Sequence, residues 1–290
     1  MIGIIRTCKA RLQNRIGASV LQPYRDLIKL FHKDEIISED ASWIFRFAPY
    51  LIFASTLALA AGIPLINGMI VFAPMSDVLV FAYTLALGAF FMALAGMDTG
   101  SAFGGFGSSR EMLFAALTEG GLVVSLFAVS LIAHTTNLAA MTSVLPTISG
   151  IALLALVLAG ISFVISLLSE NARYPVDNPA THLELTMVHE AMILEYSGKR
   201  LALMEWAASN KLLIFTAVLA NVFFPWELAS DMSLSQNLGA FAIFLVKIFA
   251  VSGGIALLES SMAKLRIFRV PDLLFTSLAL SVIAILMLVI

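Results

Sequence analysis

Cysteine is almost missing: Cys8 is the single thiol in 290 residues. That excludes an internal disulfide, and it excludes a four-cysteine zinc site or iron–sulfur cluster held by this chain alone. Charge is scarce as well. Charged side chains make up 12% of the chain and apolar ones 60%, with a mean hydropathy of +0.96, whereas a soluble domain carries about 25% charged residues. The apolar runs lack the period-two alternation of a membrane β-barrel. Residues 1–16 hold Arg6, Lys9, Arg11 and Arg15 with no apolar stretch of seven, so there is no signal-peptide pattern. No convincing internal repeat is present, and no linker is long enough to separate a second domain.

What remains is hydrocarbon-length helix. Runs of about 20 apolar residues fall near 47–72, 78–97, 112–133, 149–169, 201–226, 239–258 and 272–290, which predicts an all-α, polytopic bundle of seven spans forming one membrane domain over 1–290. Lys and Arg are distributed with a strong bias. The segments 1–46, 98–111, 170–200 and 259–271 carry fifteen of them, and the opposite connections carry none. The positive-inside rule therefore puts the N-terminus in the cytoplasm and the C-terminus outside a plasma or inner membrane.

Residues 19–33 place Val20, Tyr24, Leu27, Ile28 and Phe31 on one helical face, with Arg25, Asp26, Lys29 and Lys33 on much of the other. Ser19 is the expected N-cap. The pattern predicts an amphipathic helix lying along the cytoplasmic surface. The Gly/Ser-rich stretch 97–111 has no phosphate-binding fingerprint and reads as closely packed backbone in a loop. Asp98, Arg110 and Glu111 within it either pair across the base of the adjoining spans or end the loop in solvent.

The chemistry concentrates between Glu170 and Gly198, where Glu170, Asp177, Glu184, Glu190 and Glu195 stand with His182 and His189 beside membrane-spanning segments. Ionisable groups next to hydrocarbon are costly and call for a function. Pro175 and Pro179 break helical continuity, and a helix restarting near Pro179 would put Glu184, Val188, Ala191 and Glu195 on one face. His182 and His189 would then share another. His189-Glu190 begins like a zinc-protease motif but finds Ile193 where the second histidine belongs, so no metal site is expected. The two histidines read either as packed structural groups or as proton-relay groups. Glu119, about seven residues into a predicted span, should face the interior and is a candidate proton carrier. Lys211, Lys247 and Glu205 are the other charges inside spans. Lys211 needs an internal partner or a shifted helix boundary, and for both lysines an ion-pathway role competes with snorkelling. Glu259 and Asp272 sit at span ends and read as solvated. The many Met and Phe residues carry no cofactor meaning.

The stretches LQPYRDLIKL (21–30), ASWIFRFAPY (41–50), DTGSAFGGFGSSRE (98–111) and ENARYPVDNPATHLELTMVHEAMILEYSG (170–198) resemble the subunit 1, or H-subunit, family of respiratory complex I. They are more similar to its branch in energy-converting membrane-bound nickel–iron hydrogenases, the formate hydrogenlyase subunit 4 and hydrogenase-4 component C type. The resemblance runs over essentially the whole chain. It implies a non-catalytic oxidoreductase subunit that anchors a hydrophilic redox arm on its cytoplasmic loops and couples it to antiporter-like membrane subunits. It further implies translocation of protons or sodium ions. Glu119, Glu170, Arg173, Asp177, Glu184 and Glu195 match the family's acidic path and docking loop, and Arg25, Asp98, Arg110, Glu111 and Arg173 are the expected docking residues. Cofactors are expected in partner subunits only: iron–sulfur clusters and a nickel–iron site. Where quinone-reducing members have an acidic PEAE-type stretch, this chain reads Pro179-Ala180-Thr181-His182, which suits the hydrogenase branch. The family's first transmembrane helix has no counterpart among the seven spans. The rival readings are a quinone-site subunit of a dehydrogenase and a free-standing secondary transporter.

Overall fold

The computed structural model describes residues 1–64, 72–144, 150–177, 187–225 and 234–290. His182 and Glu184 lie outside them. Seven helices have the length and composition to cross a membrane: α3 (Trp43–Ala61), α4 (Val78–Asp98), α5 (Ala102–Ala133), α7 (Ile151–Glu170), α9 (Gly198–Val218, continued by a π turn at Leu219–Phe223), α10 (Leu234–Ser261) and α11 (Val270–Val289). The shorter helices are α1 (Ile2–Leu12), α2 (Gln22–Phe31), α6 (Leu138–Val144) and α8 (His189–Ile193). Among the described residues there is no strand, only an isolated bridge between Asp77 and Asn137.

Helix ends are fixed by short polar side chains where the sequence supplies them. Ser42 caps α3 by accepting from the Ile44 N–H at 3.1 Å, and Asp98 reinforces it from the end of α4, accepting from Ser42 N, Ser42 Oγ and Phe45 N at 2.8, 2.6 and 3.2 Å. Asp77 does the same for α4 through the Leu79 N–H, while Thr136 donates to its other oxygen at 2.6 Å. That hydroxyl bond holds the Asp77 carboxyl below the ordinary carboxylate range. Pro49 sits inside α3 and offers no N–H to the carbonyl of Phe45, four residues back. The Tyr196 hydroxyl donates to that carbonyl at 2.9 Å, and its ring stacks on Phe45 at 4.0 Å. Burial pushes the Tyr196 hydroxyl's pKa up, so it stays a donor.

The predicted α2 exists but is shorter. It begins after Leu21 with Pro23 in its first turn, so Ser19 is not the cap. Leu27 and Phe31 turn inward, with the Phe31 ring edge on Trp206, whereas Tyr24 and Ile28 are about 60% exposed. That outward apolar stripe suits an interfacial helix. The basic segment 1–46 is not wholly superficial. In α1, Ile5 is fully buried in the core that includes Leu59, Leu126 and Phe163. Eleven residues span only about 16 Å at 1.5 Å per residue, roughly half of a hydrocarbon core.

The largest departure from expectation is α5. Residues 102–111, which read as a loop, are its first turns and begin ten residues before the predicted span. Only Thr99 to Ser101 separate α4 from α5, with Gly100 at φ +65° making the turn. The glycines let helices touch backbone to backbone. A Cβ on Gly104 would lie 2.0 Å from the Gly96 carbonyl oxygen, and one on Gly107 would lie 2.9 Å from that of Val188. Ser108 adds a hydroxyl bond to the Ala93 carbonyl at 2.9 Å. Small residues in such positions are what membrane helix packing exploits. A hydroxyl seam continues inward between α5, α7 and α11, where Ser162 and Ser277 bond each other's carbonyls at 2.7 and 3.0 Å.

Candidate functional site

Between the middle stretches of α3, α4 and α9, Glu111 of α5 and the end of α7, with α1 and α8 folded against them, lies a cavity of about 260 Å3. One wall is apolar, with Ile52, Leu59, Leu85 and Met92. The other is polar, with Arg6, Glu111, Glu170, Arg173, His189, Glu190, Glu205 and Lys211. A space of this size with one polar wall has room for several waters. A second pocket of about 10 Å3, the size for about one water, lies between Glu111, Thr118, Ser169, Glu170 and Asp177.

The centre of the chamber is the ion pair between Lys211 Nζ and Glu170 Oε2 at 2.6 Å, with side chains 22% and 6% exposed. Glu170 ends α7, where the helix dipole disfavours a carboxylate, and the lysine from α9 offsets that field. The internal partner Lys211 requires is thus found, 41 positions away in the sequence. Beyond Glu170 the chain turns sharply. Ala172 has φ +48°, the Arg173 N–H returns to the Leu168 carbonyl at 2.8 Å, and Val176 and Asp177 donate to the Arg173 carbonyl. Asp177 is buried and paired with Lys264 at 2.5 Å, and the Leu265 N–H donates to the Pro175 carbonyl at 2.9 Å.

His189 and Glu190 enter from the first turn of α8. Burial holds the His189 pKa below its ordinary value, with the adjacent carboxylate opposing. Burial raises that of Glu190, and His189 partly offsets it. Arg110 donates to the Met187 carbonyl at 3.0 Å, which fixes the approach to α8. The helix expected from Pro179 is described only over 189–193. Val188 has non-helical angles, and it is buried while Glu195 is exposed. The expected face through Val188, Ala191 and Glu195 is therefore broken, because α8 turns its short apolar side onto Gly107 and Met92 rather than continuing one amphipathic helix.

The other expected residues divide. Glu111 and Arg173, expected at the docking surface, face inward: Glu111 lines both cavities, and Arg173 is 6% exposed with its guanidinium on Glu259 at 3.1 Å. Asp98 is engaged with α3, so the trio of Asp98, Arg110 and Glu111 is sent to three different places. Arg25 is exposed on α2. Glu119 stands near the middle of the 32-residue α5, half-buried and within electrostatic reach of Glu170 and Lys211. Lys247 donates to the Phe224 carbonyl at 2.8 Å just past the π turn, away from the chamber. Among the described residues, no three His, Cys, Asp or Glu side chains gather as metal ligands.

Sequence reasoning missed Glu259, which is 5% exposed rather than solvated and takes Lys9 on its second oxygen. It also left Arg6 and Lys9 as topology markers only. Their contacts lie up to 250 positions apart, and no local pattern announces them. Asp272 is exposed as expected.

The whole chain, residues 1–290, matches the family model described as NADH dehydrogenase. It is 32% identical over 282 residues to formate hydrogenlyase subunit 4 of Escherichia coli (strain K12), covering 97% of this chain and 91% of that one. It is 31% identical to hydrogenase-4 component C of the same organism over 97% and 88%. The NADH-quinone oxidoreductase subunit 8 of Rhodothermus marinus is 28% identical over 73% and 62%. Among solved structures, a chain of the membrane-bound sulfane sulfur reductase, an archaeal respiratory membrane complex, superposes with a TM-score of 0.86 over 99% of this chain and 93% of its own, at 23% identity, so the fold is shared. With a family match from end to end and relatives above 30% identity along nearly its full length, the chain belongs to the NADH dehydrogenase subunit 1, or H-subunit, family as a multi-pass membrane protein.

Proposed function

We propose that this chain is the membrane anchor and ion-translocation coupling subunit of a membrane-bound nickel–iron hydrogenase-type complex. The observation that carries the reading is the Glu170–Lys211 pair, buried in a polar chamber at the basic end of an otherwise apolar bundle. A redox arm would dock on that end, and the lysine and arginine bias supports a cytoplasmic position for it with the C-terminus outside. Hydrogenase-like large and small subunits would form the arm, and antiporter-like subunits would flank the bundle in the membrane. Iron–sulfur clusters and a nickel–iron site in those partners would supply the electron and hydrogen chemistry. This chain's own work is electrostatic. Movement of the turn carrying Asp177 and of α8 carrying His189 and Glu190 changes which acids of the chamber hold a proton, and protons or sodium ions pass by way of Glu170 and Glu119. Resemblance to the two Escherichia coli hydrogenase proteins supports this branch.

The test is purification in mild detergent with identification of co-purifying subunits and a nickel and iron assay, alongside ion movement in sealed vesicles. Nickel in the complex and loss of ion movement in Glu170→Gln and Glu119→Gln, with assembly intact, are expected. Undiminished ion movement in both variants refutes the mechanism. The apolar wall of Ile52, Leu59, Leu85 and Met92 favours a second reading, an amphipathic quinone in the chamber. Quinone-dependent electron transfer in a nickel-free complex would decide for it.

A further inference from the structure

Behind the chamber wall lies a buried trio of ions that the relay does not use. Glu259, near the inner end of α10, gives one carboxylate oxygen to Arg173 at 3.1 Å and the other to Lys9 at 3.1 Å. The Lys9 ammonium also lies 4.5 Å from the centre of the Tyr174 ring. Three segments remote in sequence, α1, the turn after α7 and α10, are thereby tied at one point. As a fastening this is an expensive choice, since apolar groups of similar volume often hold elements together as well as buried ions do. The trio is also polarised: two cations share one anion, so it carries a net positive charge, and Arg173 delivers that charge to the chamber wall.

We propose that Glu259 and Lys9 are positioning residues that hold the Arg173 guanidinium at the chamber and set the electrostatic potential in which the chamber's acids exchange ions. This rests on the relay reading given above and assigns it a tuning element. The groups that feel the trio enter from every inner element: Arg6 from α1, Glu111 from α5, Glu170 from α7, His189 and Glu190 from α8, and Glu205 and Lys211 from α9. From α3 come Ser55 and Thr56, and from α4 apolar side chains, none of which titrates. Four carboxylates thus face three cations, counting Arg173, and one unit of charge in the trio changes that balance substantially.

The sign follows directly. Glu259→Gln makes the trio more positive, favours the ionised acids and moves the pH profile of coupled ion movement toward lower pH. Lys9→Met makes it neutral and moves the profile toward higher pH. A single charge roughly 10 Å away in a medium of intermediate polarity shifts a titration by about 0.5–1 pH unit. Glu259→Asp, which keeps the charge, should restore the profile.

The experiment measures ion movement against pH in sealed vesicles carrying the complete complex, with hydrogen turnover of the redox arm by an artificial donor recorded in parallel. Opposite shifts in the two variants, with turnover retained, support the proposal. Equal losses of amplitude with an unmoved profile overturn it, since a purely structural trio predicts that result. If Glu259→Gln does not assemble, Lys9→Met decides alone, because its side chain is 22% exposed at the edge of the trio. A shift to higher pH then supports the proposal and an unmoved profile overturns it. Glu170→Gln separates the levels. Ion movement undiminished there removes the relay itself, whereas its loss with wild-type profiles in both trio variants removes only the tuning.

Discussion

Replacing Lys211 by methionine leaves the Glu170 carboxylate in a pocket where only 6% of it meets water, and the size of the damage can be bounded. Breaking a buried pair from one side costs about 3–5 kcal/mol. Lys211→Met should therefore lose about 3–5 kcal/mol. Glu170→Gln strands an ammonium that is 22% exposed and can reach Glu111, so it should lose less. The double variant, Lys211→Met with Glu170→Gln, should be more stable at pH 7 than Lys211→Met alone. Thermal or denaturant midpoints of the detergent-purified complex measure all three. Additive losses would mean that the two groups do not act as a buried pair, and the chamber would lose its centre.

Other perturbations have equally definite signs. Gly104→Ala pushes a methyl group into the Gly96 carbonyl and should destabilise the α4–α5 contact by at least the roughly 1–3 kcal/mol typical of overpacking, whereas Gly105→Ala, which meets open space, should be neutral or slightly stabilising; equal effects in a thermal assay would contradict the contact. Tyr196→Phe keeps the stack on Phe45 but removes the hydroxyl that donates to the carbonyl freed by Pro49, and about 1–3 kcal/mol should be lost; an unchanged midpoint would show that the carbonyl finds another donor. His189 is held neutral by burial, so its contribution is present above about pH 6.5 and declines as pH falls below that value. His189→Gln should flatten the acid limb of stability, and an unaltered limb refutes the assignment. Burial raises Glu190, whose contribution is greatest below the ordinary carboxylate range and disappears as pH rises. Glu190→Gln should therefore stabilise the protein at pH 7 and make no difference near pH 4, and destabilisation at pH 7 would reverse the reading.

The spans are legible because hydrocarbon imposes length and composition on every crossing helix, and five of the seven helices keep within a few residues of their apolar runs at both ends. Of the two exceptions, α5 shows why composition misleads. Gly104, Gly105, Gly107, Ser108 and Ser109 read as loop because they are poor helix formers in water, yet Gly104 and Ser108 are what allow α4 and α5 to touch, and Gly107 seats α8. The first span is also shorter than its apolar run, since α3 ends at Ala61 with Gly62 as its cap. For the chamber, the sequence discloses that Lys211 needs an internal partner or a shifted helix boundary but not that Glu170 is that partner. It discloses that acids crowd the stretch after α7 but not that Arg173 turns inward. Glu259 is invisible because a carboxylate one residue past an apolar run looks solvated until α1 is folded against it.

The backbone contact between Gly96 and Gly104 has a mechanical consequence. With no side chain between them, α4 and α5 have no layer along which to slide, so near the membrane surface they behave as one stiff strut. A displacement transmitted into the bundle at this level would tilt or roll across that strut, and α8, resting on Gly107 through Ala191, is seated where such a lever would bear.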